Sequence, residues 1–387
     1  MKFDSFLCDF FICSLVCSFI GRVLGSLTLH RHHVSDFRAI CLDGTRASYY
    51  KNNHMGSNSR WHIWIEGGGW CYDKYSCSYR ATTNLGSTKY DLQNTHCVFE
   101  KFLQDLYSNI SDITVVHIRY CDGGSLSGNS VFSYMKKTYK SRGAFIRNSI
   151  IKDLLHLHGM REAQEVIVSG TSAGGLAVLL GLDHIAQIIH TASPETVVGG
   201  IVDAGYFPAY KSSRKNYDFN MRQSFNFLNM SAGADIKCTA VADVLSDCAF
   251  ASNLIPRIHT PHFLMQSRFD KWQIVNELGL GADSTDIVNM YGNFVMTSIF
   301  KTVEKNSKAT LFLDSCTHHV VIPNTNLAST IIDGKGVAVT DSLRVWMWKL
   351  GRYHSYSTDF PQIRSQIFVY PCSDCCFNKS IAFTTNS

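Results

Sequence analysis

The chain has 387 residues, of which 45% are hydrophobic and 12% aromatic, so it can bury a sizeable core and is not mainly disordered. Lys plus Arg (36) exceed Asp plus Glu (31) by only five, a balance that gives no indication of nucleic acid as a partner. After residue 25 no stretch reaches about 18 clean apolar residues, which excludes a protein with several membrane spans. At about 100–200 residues per domain, the length allows several domains or one large α/β enzyme domain.

The N-terminus has the pattern of an export signal. Residues 6–20 form an apolar run that follows Lys2 and precedes several small residues, as in a secretory signal peptide. The run is short for a membrane span, and Asp9 within it is unusual for a signal peptide. We therefore expect residues 1–25 to be a signal peptide, with a retained signal anchor or a wrong start codon as alternatives. Residues 26–387 are expected to form a single catalytic domain.

Cysteine usage agrees with export. The chain has 14 cysteines, and 11 remain outside the first 25 residues, an odd number that leaves at least one unpaired or intermolecular. No paired CxxC knuckles of a zinc site occur, so disulfides formed in an oxidising compartment are the better interpretation. Asn-x-Ser sequons at Asn109, Asn229 and Asn378 support secretion and glycosylation only weakly.

Short apolar runs rich in β-branched and aromatic residues predict strands, because each run ends at a cluster of glycine and polar residues. The predicted strands cover residues 62–65, 113–119, 165–168, 197–202, 262–265 and 310–313. Between some of them the apolar spacing is helical, as at Ile146, Ile150 and Leu154 and throughout residues 176–189. This alternation predicts an α/β fold with a mostly parallel central sheet and helices on both faces, whose chemistry lies at the carboxyl ends of the strands.

Residues 170–174 form a G-x-S-x-G motif directly after a predicted strand and at the start of a helix. Its glycines permit a cramped turn that lifts the serine hydroxyl above the sheet, and the helix N-terminus then points toward a developing oxyanion. A plain glycine-rich turn is the alternative. The strand before the motif and the helix after it favour Ser172 as a nucleophile.

A serine nucleophile needs a base, and in folds of this kind the chain order is serine, acid, histidine. Several later histidines lie on the nucleophile helix or beside the start of a strand, where they cannot reach Ser172: His184, His190, His259 and His262. His318 and His319 follow the last predicted strand, where the base is expected. The position at a strand end does not distinguish these two neighbours.

The acid should end a strand between Ser172 and the histidines, and two aspartates do so. Asp270 ends the strand just before the one that leads to the histidines, which is the usual position of the acid, so we favour it. Asp203 ends the strand after the nucleophile helix and is the alternative. Its other possible role is to accept hydrogen bonds from nearby backbone.

A glycine run after the first clear strand predicts an oxyanion hole. Residues 66–71 read EGGGWC, and successive glycines let neighbouring N–H groups converge on one point. A flexible turn is the alternative interpretation. The N–H of Ala173, next to the nucleophile, is the expected second contributor, and Trp70 is expected to line the substrate pocket.

Seven segments of the chain, in the same order, resemble the pectin acetylesterase family, which includes the animal carboxylesterase Notum. They are CLDGTRASYY (41–50), WHIWIEGGGWC (61–71), YCDGGSLSGN (120–129), VIVSGTSAGG (166–175), VDAGYF (202–207), FDKWQI (269–274) and SCTHH (315–319). The resemblance implies an α/β-hydrolase-like fold and a Ser–Asp–His triad. The family's usual proline in the CLDG segment is missing here, which does not touch the chemistry.

Carried over by motif, the resemblance assigns Ser172 as nucleophile, Asp270 as acid and, from the family's Cys-x-x-His pattern, His319 as base. It assigns Gly68 and Gly69 as oxyanion donors, and His318 is then expected to point away from Ser172. It also implies disulfides in the three pairs Cys71–Cys77, Cys41–Cys121 and Cys238–Cys248.

The resulting prediction is a secreted serine carboxylesterase of the extracellular space or cell wall, which hydrolyses acetyl esters of pectin or a related polysaccharide. No metal or organic cofactor, nucleic acid or obligate protein partner is expected, and the enzyme is expected to be a monomer. One alternative is a Notum-like deacylase that removes a fatty acyl group from a protein. Another is a catalytically silent glycan-binding protein.

Overall fold

The computed structural model describes residues 26–53, 59–212, 214–279, 284–324, 327–352 and 363–372. The predicted signal peptide and the sequon at Asn378 lie outside these residues.

The strands alternate with helices along the chain. The strands are β1 (Thr28–His33), β2 (Ser48–Lys51), β3 (Arg60–Ile65), β4 (Asn94–His96), β5 (Ile113–Ile118), β6 (Ser130–Tyr134), β7 (Lys137–Ser141), β8 (Glu165–Thr171), β9 (Val197–Asp203), β10 (His262–Ser267), β11 (Ala309–Asp314) and β12 (Ile363–Ser365). The α-helices are Lys74–Arg80, Glu100–Leu106, Gly143–Leu157, Ala173–Ala192, Tyr217–Phe227, Ile236–Thr239, Ala251–Leu254, Lys271–Gln273, Thr285–Val303, Leu327–Thr330 and Val339–Arg352. A π-helical turn spans Ile274–Leu278, and 3₁₀ turns span Ile110–Asp112, Met160–Glu162, Met230–Ala232, Leu245–Ala249 and Ile255–Arg257.

Within the described residues one large sheet contains ten strands, in the order β12-β11-β10-β9-β8-β3-β5-β2-β1-β4. The seven strands from β12 to β5 pair in parallel, whereas β2, β1 and β4 extend one side with antiparallel pairing. A separate antiparallel hairpin joins β6 and β7. The predicted α/β-hydrolase-like class with a mostly parallel sheet is therefore confirmed.

Helices cover both faces of the sheet. Alternate residues of each strand point to opposite sides, so each strand packs against helices on both faces. On β8, Val166 and Val168 join the core that contains the Ala173–Ala192 helix, whereas Ile167 joins the core that contains the Val339–Arg352 helix. The Ala173–Ala192 helix is apolar and long enough to cross a membrane by composition alone, but most of it is buried inside the structure. Its continuous apolar pattern thus reflects a central position in the fold.

All six predicted strands are present, and most extend one to three residues beyond their apolar runs. The sequence analysis missed the antiparallel strands β1, β2 and β4, the short edge strand β12 and the β6–β7 hairpin. Strand β1 reads TLHRHH, and most of its side chains are only partly buried, so it lacks the apolar run that identified the central strands.

The three predicted disulfides are present: Cys41–Cys121, Cys71–Cys77 and Cys238–Cys248. Cys316 and Cys372 are also disulfide-bonded. Among the described residues Cys97 is the free cysteine; it is buried, and burial raises the pKa of its thiol to about 12. Cys97 is therefore an unpaired cysteine of the kind that the odd count predicts, and its buried thiol is inert.

Candidate active site

Ser172 lies in a strained turn between β8 and the Ala173–Ala192 helix. Its backbone has φ 57° and ψ −123°, a conformation that non-glycine residues rarely adopt. Glycine is required at position 174, in the first turn of the helix, since a Cβ there would lie 2.6 Å from the carbonyl oxygen of Glu66, just after β3. The Ser172 N–H donates to the carbonyl of Asp203 (2.8 Å), which ties the turn to the end of β9.

His319 lies between the serine and an aspartate. Its Nε2 is 2.8 Å from Ser172 Oγ, and its Nδ1 is 2.9 Å and 3.0 Å from the two carboxylate oxygens of Asp270. His319 comes from the loop after β11, and the indole of Trp272 stacks beside it with ring centroids 5.9 Å apart. The three predicted catalytic side chains are thus in hydrogen-bond contact, in the arrangement of an acyl-transfer triad.

The Asp270 carboxylate is fully buried and held by backbone. It caps the short helix that follows β10, accepting hydrogen bonds from the N–H groups of Trp272 (2.9 Å) and Gln273 (3.0 Å). These donors fix the orientation of the carboxylate, which can hold the imidazole of His319 in one tautomer and orientation.

Asp203 is adjacent to the triad but does not touch the histidines. Its carboxylate accepts hydrogen bonds from the N–H groups of Val321 and Ile322 (2.8 Å each), just beyond His319. Burial raises the pKa of this carboxyl to about 6, although the two amides oppose the shift. The geometry therefore gives Asp203 the backbone-binding role that was its alternative in the sequence analysis.

His318 points away from Ser172 and pairs with Asp314 at the end of β11, with Nε2 3.1 Å from both carboxylate oxygens. Burial alone would lower the pKa of His318, but the Asp314 carboxylate outweighs it and holds the pKa above its usual value. The sequence analysis did not anticipate this second pair, because nothing in the chain pattern links the two side chains.

The glycine run after β3 is tied down by its carbonyl groups. Arg80 Nη2 donates to the carbonyl of Gly68 (2.7 Å), and the Tyr120 hydroxyl donates to that of Gly69 (2.7 Å). Gly68 has φ +152°, and a Cβ there would lie 2.7 Å from a methyl group of Leu85. Glycine is therefore required at this position by both its backbone conformation and its surroundings.

The amide groups of Gly68, Gly69 and Ala173 donate no hydrogen bond to any other described residue of the chain. Ser125 connects the two segments, because its Oγ accepts from Trp70 Nε1 and donates to the carbonyl of Ala173 (2.7 Å each). The strand ends thus bring the predicted oxyanion donors close to the nucleophile, with their N–H groups available to a ligand.

The model of the family described as Pectinacetylesterase matches residues 25–377. The chain belongs to the pectinacetylesterase family. It is a carboxylic ester hydrolase.

Two relatives illustrate the range of this family. Pectin acetylesterase 5 of Arabidopsis thaliana is 31% identical over 374 residues, covering 88% of this chain and 82% of the relative. Palmitoleoyl-protein carboxylesterase notum2 of Xenopus laevis is 25% identical over 335 residues, covering 81% and 66%. The solved structure of the Wnt deacylase Notum from Drosophila has a TM-score of 0.75 at 21% identity, covering 88% of this chain and 97% of that one. At that identity, the structural match shows a common fold.

In this member of the pectinacetylesterase family, a row of aromatic side chains leads to the histidine of the site, which Trp272 contacts directly. Trp70, predicted to line the substrate pocket, packs edge-on against Phe207 (4.9 Å between centroids) and Trp272 (5.9 Å). Trp272 in turn packs against Tyr217 at 6.0 Å. These ring contacts thus connect the end of the glycine run to His319.

A buried polar cluster behind Asp270 was missed by the sequence analysis. The Tyr291 hydroxyl lies 2.6 Å from Glu277 Oε2 and 3.0 Å from Gln273 Oε1, and Gln273 Nε2 donates to the carbonyl of Tyr206. Burial raises the pKa of the Glu277 carboxyl well above its ordinary value. The cluster anchors the turn that carries Asp270, and no sequence motif marks it.

Among the described residues, no group of three or more His, Cys, Asp or Glu side chains has the arrangement of a metal site.

Proposed function

We propose that this protein is a secreted serine carboxylesterase that hydrolyses acetyl esters of pectin or a related polysaccharide through an acyl-enzyme intermediate. The observation that carries the proposal is the position of His319, within hydrogen-bond distance of both Ser172 Oγ (2.8 Å) and the buried Asp270 carboxylate (2.9 Å). A neutral imidazole in this position can accept the hydroxyl proton while its other nitrogen is held by the acid.

In the acylation step, Ser172 Oγ attacks the ester carbonyl carbon and its proton passes to His319 Nε2. The resulting oxyanion accepts hydrogen bonds from the amides of Gly68, Gly69 and Ala173. When the intermediate collapses, the bond to the sugar oxygen breaks and His319 returns its proton to that oxygen. The products of this half-reaction are the acetylated serine and a free sugar hydroxyl.

In the deacylation step, water attacks the acetyl carbon while His319 takes one of its protons. When the second tetrahedral intermediate collapses, its bond to Ser172 Oγ breaks and His319 returns the proton to that oxygen. The product leaves as acetic acid and ionises to acetate in solvent. Asp270 stabilises the imidazolium in both steps without itself becoming protonated. The chain's own side chains account for every proton transfer.

The acetyl-polysaccharide substrate rests on family membership and on the relatives named pectin acetylesterases, such as the one at 31% identity over most of both chains. The acyl-protein deacylase alternative rests on the notum2 relative, at 25% identity with 66% of that relative covered. The assembled triad weighs against a catalytically silent glycan-binding protein. The three disulfides fit folding in an oxidising compartment, as secretion requires.

The deciding experiment measures kcat/KM for acetyl, octanoyl and palmitoyl esters of 4-nitrophenol, together with acetate release from acetylated pectin. We expect the acetyl ester to be the best of the three and acetate to be released from the polymer. A preference for the palmitoyl ester would favour the deacylase instead, and no turnover of any ester would exclude the esterase function.

A further inference from the structure

A groove of about 280 Å³ opens beside the triad and has no part in the acyl-transfer steps. Three chain segments line it: the residues after the oxyanion loop, the start of the Tyr217–Phe227 helix, and the turn after Asp270. Trp272 belongs to this lining and also stacks on His319, so the groove adjoins the reacting atoms. A polymer whose ester lies at Ser172 would extend its neighbouring units into this groove.

The lining of the groove is chemically suited to sugar rings. Trp70 and Tyr72 contribute aromatic surface, and Tyr72 is 38% exposed. The side-chain amides of Asn216 and Asn220 have no hydrogen-bond partner within the described residues, so each can still donate to and accept from a hydroxyl group. Aromatic faces beside unpaired amides match a ligand that has apolar ring faces and a rim of hydroxyl groups.

The charge of the groove is positive. Lys215 is the one charged side chain among the described lining residues, and it forms no ion pair with any described residue. Exposed Lys211 and Arg214 lie in the same loop. The nearby carboxylate of Asp218 is already paired with Arg222.

The stem of Lys215 packs against the backbone of Gly279. Gly279 has φ +68°, and a Cβ at that position would lie 2.9 Å from Lys215 Cγ. The lysine stem therefore lies directly on the glycine, where a larger residue would displace it. The side chain of Lys215 is otherwise exposed, and it lines the groove.

We propose that Lys215 binds the free carboxylate of a uronate unit next to the acetylated sugar, so that the enzyme prefers an anionic polysaccharide. The inference rests on the proposed esterase function and adds to it a specificity-determining residue. Lys215 contacts the polymer away from the ester, so it contributes to substrate binding and takes no part in proton transfer. Its contribution to KM depends on the charge of the polymer.

The test compares two forms of one polymer: acetylated polygalacturonate with free carboxylates, and the same material after methyl esterification of those carboxylates. KM and kcat for acetate release are measured for the wild type, Lys215→Gln and Lys215→Arg. We expect Lys215→Gln to raise KM for the anionic form by roughly two- to fivefold, the range for an exposed ion pair. The methyl-esterified form should show no such rise, and Lys215→Arg should keep the wild-type preference.

Lys305→Gln is the matched control. Lys305 is exposed and lies between the Thr285–Val303 helix and β11, at the amino ends of the parallel strands and far from the triad. The same loss of charge there should leave KM unchanged for both polymers. Added salt should reduce the preference of the wild type for the anionic form, since counterions screen an exposed charge.

Equal KM changes on the two polymers, or a wild type with no preference between them, would overturn the inference. In that case hydrolysis of 4-nitrophenyl acetate would still support the esterase function. If the wild type hydrolyses neither that ester nor either polymer, the proposed function fails, and the inference fails with it.

Discussion

Two adjacent histidines form similar pairs with aspartate in very different surroundings. The His319 side chain is 22% exposed, contacts Asp270 with one nitrogen and reaches Ser172 with the other. The His318 side chain is 10% exposed and contacts Asp314, and its Nδ1 has no partner among the described residues. A histidine–aspartate pair is therefore not enough to define a general base. The second ring nitrogen must also face a nucleophile that substrate can reach.

The largest effect expected is the loss of activity when Ser172 or His319, which form the reactive pair of this comparison, is replaced. Ser172→Ala and His319→Gln should each lower kcat for 4-nitrophenyl acetate by up to about 10⁶-fold, because either change removes the acyl-transfer unit. Circular dichroism should show both variants folded. Activity within tenfold of the wild type in either variant would contradict the assignment.

The next effect distinguishes the two aspartates at neighbouring strand ends. Asp270→Asn should lower kcat by roughly 10⁴-fold, since an amide no longer holds the imidazole in the working tautomer. Asp203→Asn should cost much less, because that carboxylate binds the amides of Val321 and Ile322 and not the base. Measuring kcat for both variants on one ester tests the ranking, and the reverse order would make Asp203 the acid.

His318→Gln should affect stability more than chemistry. The change leaves the buried Asp314 carboxylate without its imidazole partner, and we expect the free energy of unfolding to fall by about 1–3 kcal/mol. The kcat per folded molecule should change little, because His318 does not contact Ser172. Urea unfolding and active-site titration measure the two quantities, and a loss of kcat as large as that of His319→Gln would show that the pairs are not distinct.

The smallest expected effect is the pH dependence of that stability difference. The folded pKa of His318 is raised, so its protonated form contributes stability fully below the unfolded pKa, which is about 6.5. The contribution is lost as pH rises through the folded value. The difference in unfolding free energy between wild type and His318→Gln should therefore shrink above about pH 6.5. A difference that grows with pH would show that the Asp314 pair does not protonate as expected.

Short sequence motifs were enough to identify the site residues that lie next to a predicted strand in the chain. The G-x-S-x-G motif and the glycine run placed Ser172, Gly68 and Gly69 at strand ends, because each follows an apolar strand of the parallel sheet. The choice between His318 and His319 needed the family motif, since chain position does not say which way a loop side chain points. The direction depends on which aspartate each ring meets in the folded structure.

Such motifs could not predict the buried polar contacts. Glu277 and Tyr291 are 14 residues apart, on different helical segments, and only the packing behind Asp270 brings them together. Strands on the antiparallel side of the sheet, such as β1, were missed for a related reason: their side chains are only partly buried, so the strand lacks an apolar sequence. Sequence patterns report burial well, whereas the pairing of polar groups depends on tertiary geometry.

The Cys71–Cys77 bridge has a consequence for the biogenesis of the enzyme. The bridge closes a short ring at the end of the glycine run, and Gly123 packs so closely on it that a Cβ there would lie 2.8 Å from Cys71 Sγ. Because the two cysteines are only six positions apart, the ring can close as soon as the segment meets an oxidant, without waiting for distant strands. A copy that folds under reducing conditions therefore lacks this covalent anchor beside the glycine run.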